Sequence, residues 1–136
     1  MVTTRNCQRS ARIATVFAAM GAALVLAAAP ALAEDTVDIT GATPSTVAVS
    51  YNCDAAAGVK TIQAMAGEPT AERPAALGSQ HNPTCDGTRH VATIPLTGAT
   101  GEAPLQSGAV MQLRVALVDQ NDIVVSGQAK VLTLTD

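Results

Sequence analysis

From residue 34 onward, apolar and polar residues alternate with a period of two in one stretch after another, and no stretch sustains apolar positions at i, i+3, i+4 and i+7. That pattern predicts strands with one buried face. Thr36 to Thr40 reads as a short first strand with Val37 and Ile39 on one side, and the Gly41-Ala42-Thr43-Pro44 run turns the chain. Thr46 to Cys53 puts Val47, Val49, Tyr51 and Cys53 on one face and Thr46, Ala48, Ser50 and Asn52 on the other, the clearest inward face in the chain. Asp54 to Gly58 is a small-residue turn. Val59 to Ala66 is the next expected strand, with a helix as the alternative because of its Ala and Met content.

Gly67 to Thr84 has the composition of a long loop, with three prolines and two glycines, in which Ala75 to Leu77 could add a short edge strand. Thr88 to Leu96 alternates again, with His90, Ala92, Ile94 and Leu96 on one face and Pro95 marking an edge. Thr97 to Gly108 is a second Gly/Pro-rich connection with Leu105 as its apolar anchor. Val110 to Asp119 is a long strand with Met111, Leu113, Val115 and Leu117 inward. Asp119-Gln120-Asn121-Asp122 forms a hairpin turn in which Asn121 can take positive φ. Ile123 to Thr135 returns as the last strand, with a candidate bulge at Ser126-Gly127. About seven strands at regular spacing predict an all-β, two-sheet sandwich.

The first 33 residues follow a different logic. Arg5, Arg9 and Arg12 stand in a segment without acids, an apolar stretch from Ile13 to Ala29 follows, and Ala31-Leu32-Ala33 supplies small residues. This is the order of a secretory signal peptide, with cleavage expected between Ala33 and Glu34. The apolar stretch is short and alanine-rich for a membrane span, and no basic stop-transfer cluster follows it. The expected product is a single secreted domain, residues 34–136, extracellular or on the outer cell surface, with no stable membrane insertion.

Processing changes the charge. The chain has eight Lys and Arg and eleven Asp and Glu; residues 1–33 hold three of the basic residues and none of the acids, which leaves a net charge of −6 on the rest. Lys60, Arg73, Arg89, Arg114 and Lys130 are scattered, and Tyr51 is the only aromatic after Phe17. Nucleic acid is therefore excluded as a partner, since neither a basic patch nor a stacking platform exists. Removing Cys7 leaves Cys53 and Cys85 as an even pair in an oxidising compartment, which predicts a disulfide. On the chain-entropy model, closing a loop of about 32 residues stabilises the fold by about 3.5 kcal/mol. A redox or metal-binding thiol pair is the alternative, although no C-x-x-C spacing is present.

Chemistry-bearing residues are few. His81, Asp86 and His90 surround Cys85 and could contribute to a zinc site, but their spacing fits no familiar module, and an oxidised Cys85 offers no thiolate. The plain alternative is a polar loop around the bridge. Ser79, Ser107 and Ser126 lie outside any Gly-x-Ser-x-Gly elbow. Glu68 and Glu72 read as solvated loop charges. Tyr51 reads as a core side chain beside the bridge whose hydroxyl needs a partner. No catalytic, cofactor or metal residues are assigned.

The layout from Tyr51-x-Cys53 through Cys85-Asp86-Gly87 to the hairpin Val110 to Leu134 resembles uncharacterised secreted domains of actinobacteria with an immunoglobulin-like sandwich and a single disulfide. The resemblance implies a fold and a compartment and carries over no site. The sequence departs from true immunoglobulin domains in lacking Trp, in placing Tyr-x-Cys at the first cysteine, and in its short intercysteine segment. The bridge is accordingly expected to tie a strand end to a loop. The functional expectation is a non-enzymatic domain that binds or supports an extracellular protein or surface ligand. Two rivals stand beside it: a small protease inhibitor presenting Gly67 to Thr84, and a carrier of an apolar molecule held between the sheets.

Overall fold

A computed structural model describes residues 34–136. The expected signal peptide, residues 1–33, and the Ala33 side of the expected cleavage point lie outside the described residues. Eight strands follow one another: β1 (Thr36–Ala42), β2 (Thr46–Asn52), β3 (Val59–Gly67), β4 (Ala76–His81), β5 (Arg89–Pro95), β6 (Thr97–Gly98), β7 (Val110–Asp119) and β8 (Val124–Thr133). They form two antiparallel sheets, ordered β1-β2-β5 and β6-β4-β3-β7-β8. The chain crosses from one sheet to the other after β2, β4 and β5, giving the immunoglobulin-like partition of strands between two facing sheets. The one helical element among the described residues is a single 3-10 turn, Ala55–Ala57, and no helix there is long and apolar enough to cross a membrane.

The alternation that predicted the strands is the alternation that fills the core. Val47, Val49, Tyr51 and Cys53 are buried from one sheet, and Met111, Leu113, Val115 and Leu117 from the other. Ile39, Ile62, Ile94 and Leu134 complete the layer at 1% exposure or less. Each such aliphatic side chain contributes about 1.5–3 kcal/mol on leaving water, the main driving force available to a core with a single aromatic ring. Leu105 packs partly buried against this cluster, as its isolation in a polar connection led one to expect. The alternation within Val59–Gly67 wins over its helix-forming residues, since Ile62, Ala64 and Ala66 face inward and Gln63 and Met65 outward.

Three details differ from the sequence reading. The segment from Gly67 to Thr84 is not one long loop, because β4 occupies its middle and pairs with β3 over six residues. Its pattern is hard to read: the largest apolar residue, Leu77, points out at 46% exposure, and the inward positions beside it are the small Ala76 and Gly78. A Cβ at Gly78 would collide with the backbone carbonyl of Pro95, so glycine is required by the close passage of the end of β5. In the β7–β8 hairpin, positive φ falls on Asp122 (61°) and not on Asn121. The bulge lies a residue or so before the expected Ser126-Gly127, because Leu117 pairs with Ser126 and Val118 with Val124.

On the outer face of the small sheet, Thr36, Asp38, Ser50, Asn52, Arg89 and Thr93 project outward, with Val91 the large apolar side chain among them. On the large sheet, outward positions include Met65, Leu77, Ala129 and Val131, with Arg114 among them.

The two sheets are also joined along one side. The amide of Ile39 donates to Gln128 Oε1 at 2.6 Å, Gln128 Nε2 donates to Asp38 Oδ1 at 2.9 Å, and Lys130 Nζ donates to the Ile39 carbonyl at 3.0 Å. Side chains of β8 thus satisfy the unpaired backbone edge of β1, which would otherwise be a template for pairing with another strand.

Candidate functional site

Antiparallel pairing brings four segments to one end of the sandwich: the lead-in to β1, the β2–β3 connection (53–58), the β4–β5 connection (82–88) and the β7–β8 turn (120–123). The disulfide between Cys53 and Cys85 joins two of them, with Cα atoms 4.7 Å apart. Cys53 is fully buried at the end of the β2 core face, and Cys85 packs against the core from the loop. The bridge ties a strand end to a loop, as expected from the sequence. Gly87 follows in the left-handed region (φ 77°) and donates its amide to the Cys53 carbonyl at 2.9 Å, doubling the covalent link with a hydrogen bond.

Tyr51 lies two residues before the bridge and is 4% exposed. Its hydroxyl accepts the amide of Thr84 at 3.1 Å, supplying the polar partner a buried phenol needs. His90 packs beside the ring, with ring centroids 5.8 Å apart. Asp86 organises the remaining turn: its Oδ1 accepts the Thr88 amide at 3.0 Å, the Thr88 hydroxyl at 2.6 Å and His90 Nε2 at 2.9 Å. Hydrogen bonds from the Thr88 hydroxyl first and His90 second hold the Asp86 carboxyl down at about 2, because they favour its charged form.

The neighbouring segments are ordered by the same device. Asp54 caps the 3-10 turn by accepting the Ala56 amide at 3.1 Å, and its own amide donates to Asp35 Oδ1 at 2.8 Å. In the β7–β8 turn, Asp119 Oδ1 accepts the amides of Asn121 at 2.8 Å and Ile123 at 3.0 Å. Asn82, at φ 54°, donates its amide to the Lys60 carbonyl at 2.8 Å and closes the end of β4 onto β3. One loose end remains: Asn52 Oδ1 is shielded from solvent without a hydrogen-bond partner.

The other residues singled out in the sequence are dispersed. His81 ends β4 opposite Thr61, on a strand of the large sheet, while Asp86 and His90 form their pair beside β2. Among the described residues, no group of three His, Cys, Asp or Glu side chains converges as a metal site. Ser79 lies on β4, Ser126 on β8 and Ser107 in the connection before β7. Glu68 and Glu72 join Arg73, Gln112, Arg114 and Met65 around a pocket of about 170 Å³ at the opposite end of the large sheet. A more open groove of about 490 Å³ runs over Gln63, Met65, Leu77, Ser79, Pro95 and Thr97.

Thr88 was not singled out in the sequence, although the Asp-Gly-Thr order, in which a carboxylate turns back onto an amide two residues on, was a usable signal. No family model, curated protein or solved structure matches this chain.

Proposed function

We propose that the protein is an exported, non-enzymatic domain that binds or supports a partner at the cell exterior through its disulfide end. The observation that carries this reading is the convergence there of four chain segments, each ordered by side-chain acceptors or by the bridge. Loops mounted on a rigid sandwich and ordered in advance lose little entropy when a partner arrives. Glu34, Asp35, Asp54, Asp86 and Asp122 lie in these segments and Asp119 ends β7 beside them, against Lys60 and Arg89 nearby, so the partner is neutral or basic. A disulfide in so small a domain fits an oxidising compartment, which supports export.

The inhibitor reading draws less support from the structure, because β4 divides the loop that was to enter a protease. The carrier reading draws little, since both cavities described above are lined by outward residues of the large sheet.

The test is retention. Labelled protein with its bridge intact is sedimented with intact cells and with envelope material of the producing organism, beside reduced, unfolded protein as the control. The expected result is saturable retention that an Asp86→Ala/His90→Ala variant weakens and a Val91→Lys variant, on the outer face of β5, leaves unchanged. Retention no greater than that of the unfolded control rejects the proposal.

A further inference from the structure

At the end of the sandwich away from the bridge, the chain folds back over the outer face of the large sheet. Gly67 stands on the same face of β3 as Gln63 and Met65, which are exposed, yet it is buried. Arg73 and Pro74 pass over it: a Cβ at Gly67 would lie 3.3 Å from both the Arg73 carbonyl oxygen and the Pro74 Cα. The returning segment is held by the Ala71 amide, which donates to the Glu68 carbonyl at 3.0 Å, and by the Ala75 amide, which donates to the Ala66 carbonyl at 2.8 Å. The pocket of about 170 Å³ lies between this segment and the sheet. Glu68, Glu72 and Arg73 line it from the segment, and Gln112 and Arg114 line it from β7, where they stand opposite Gly67 and Met65. Two cations and two anions therefore surround one small space, and none of the four is paired with another. Among the described residues the sole ion pair is His90 with Asp86, at the other end of the molecule.

From these four charges we infer that the pocket binds a small zwitterion, a free α-amino acid, with its carboxylate on Arg73 and Arg114 and its ammonium on Glu68 and Glu72. Charge balance selects this class. A plain anion meets the two glutamates and a domain that already carries a net charge of −6, and a plain cation meets the two guanidiniums. A molecule carrying both charges satisfies both pairs and adds no net charge. The planar guanidinium suits a carboxylate, which it can hold through two parallel hydrogen bonds, and the Gln112 amide adds a neutral donor and acceptor beside Arg114. The size also agrees, since a cavity of about 150 Å³ takes up benzene, so this one has room for glycine, alanine or serine.

All four charged side chains are exposed, so each ion pair with the ligand is weak and screened by salt. The expected affinity is accordingly millimolar, that of a site filled only where amino acid is abundant. The inference stands apart from the function argued above, because it uses none of the disulfide-end residues.

An amide-resolved NMR titration of the purified protein, bridge intact, with L-alanine tests it. The expected result is a saturable shift at Gly67, Gln112 and Arg114 with a dissociation constant of about 1 mM. N-acetyl-L-alanine lacks the ammonium and L-alanine amide lacks the carboxylate; each is expected to bind at least about tenfold more weakly. Two double variants of exposed residues separate the halves of the site. Arg73→Gln/Arg114→Gln weakens L-alanine at least about tenfold. Glu68→Gln/Glu72→Gln also weakens L-alanine but tightens N-acetyl-L-alanine, because the repulsion of its lone carboxylate is removed. Val91→Lys, on the other sheet, changes neither. No saturation by about 50 mM L-alanine, well beyond the expected constant, overturns the inference. So does N-acetyl-L-alanine binding as tightly as L-alanine, which would make the pocket a simple anion site, or an L-alanine affinity that neither double variant alters. Retention on cells through the disulfide end is read separately, so the failure of one proposal does not carry the other with it.

Discussion

The two ends of the sandwich are ordered by different means. At the disulfide end, Asp35, Asp54, Asp86, Asp119 and Tyr51 each accept a backbone amide through a side-chain oxygen. At the opposite end the bonds run mostly between backbone atoms: Ala71 to Glu68, Ala75 to Ala66, Ala99 to Ala75, Glu102 to Ala99 and Gly108 to Leu134. Thr43 and Thr135 are exceptions there, the Thr43 hydroxyl accepting the amides of Ser45 and Thr46 and the Thr135 hydroxyl donating to the Ala42 carbonyl. Turns built from backbone bonds tolerate most residue types. Turns built on particular carboxylates and one phenol do not. The chain thus concentrates its sequence-specific geometry at one end.

The largest break in this contrast comes from removing the bridge. Cys53→Ala/Cys85→Ala, which frees a 32-residue separation, is expected to cost about 3.5 kcal/mol and lower the melting temperature by about 15 °C or more, read by calorimetry. If the loss is under about 1 kcal/mol, the side-chain bonds alone hold that end. Next comes Tyr51→Phe, which leaves the Thr84 amide without its acceptor and is expected to cost about 1–2 kcal/mol in urea unfolding.

A pH series isolates Asp86. Its carboxyl is held at about 2 in the fold against an ordinary 3.8, so its contribution is fully present above 3.8 and is lost as pH falls through 2. The wild-type advantage over Asp86→Asn is therefore expected to be constant at neutral pH, to shrink from about pH 4 downward and to vanish near the acid limit, followed by urea midpoints. The smallest effect belongs to the other end: two glycines inserted after Thr100, in the exposed connection between β6 and β7, are expected to cost less than about 0.5 kcal/mol. The same insertion after Gly87, between Asp86 and Thr88, is expected to cost clearly more.

Legibility from sequence followed the same division. β2 and β7 could be read almost residue for residue because every second position is a large apolar side chain destined for one core. β4 was read only in part, as a short edge strand at Ala75 to Leu77, because its single large apolar side chain faces outward and the inward Gly78 of its remainder answers to Pro95, a contact no local pattern announces. At the disulfide end, the bridge followed from cysteine counting and the Tyr51 partner from the cost of burying a bare hydroxyl. The Asp86–Thr88 bond was open to local reading, but the pattern was taken no further than a polar loop around the bridge. Gln128 and Lys130 gave no signal, since their acceptors lie 90 and 91 residues away and each looks like an ordinary polar residue on a strand.

Those distant bonds set an order of events. On the outer edge of β1, the Ile39 amide and carbonyl and the Ala42 carbonyl find their partners in Gln128, Lys130 and Thr135, so this early strand waits for the last ten or so residues before these groups are paired. Contacts of such sequence separation form late and slowly. Until then the amino-terminal segment is a strand with one bare side, held by β2 alone. Folding is thereby deferred until the last strand is available.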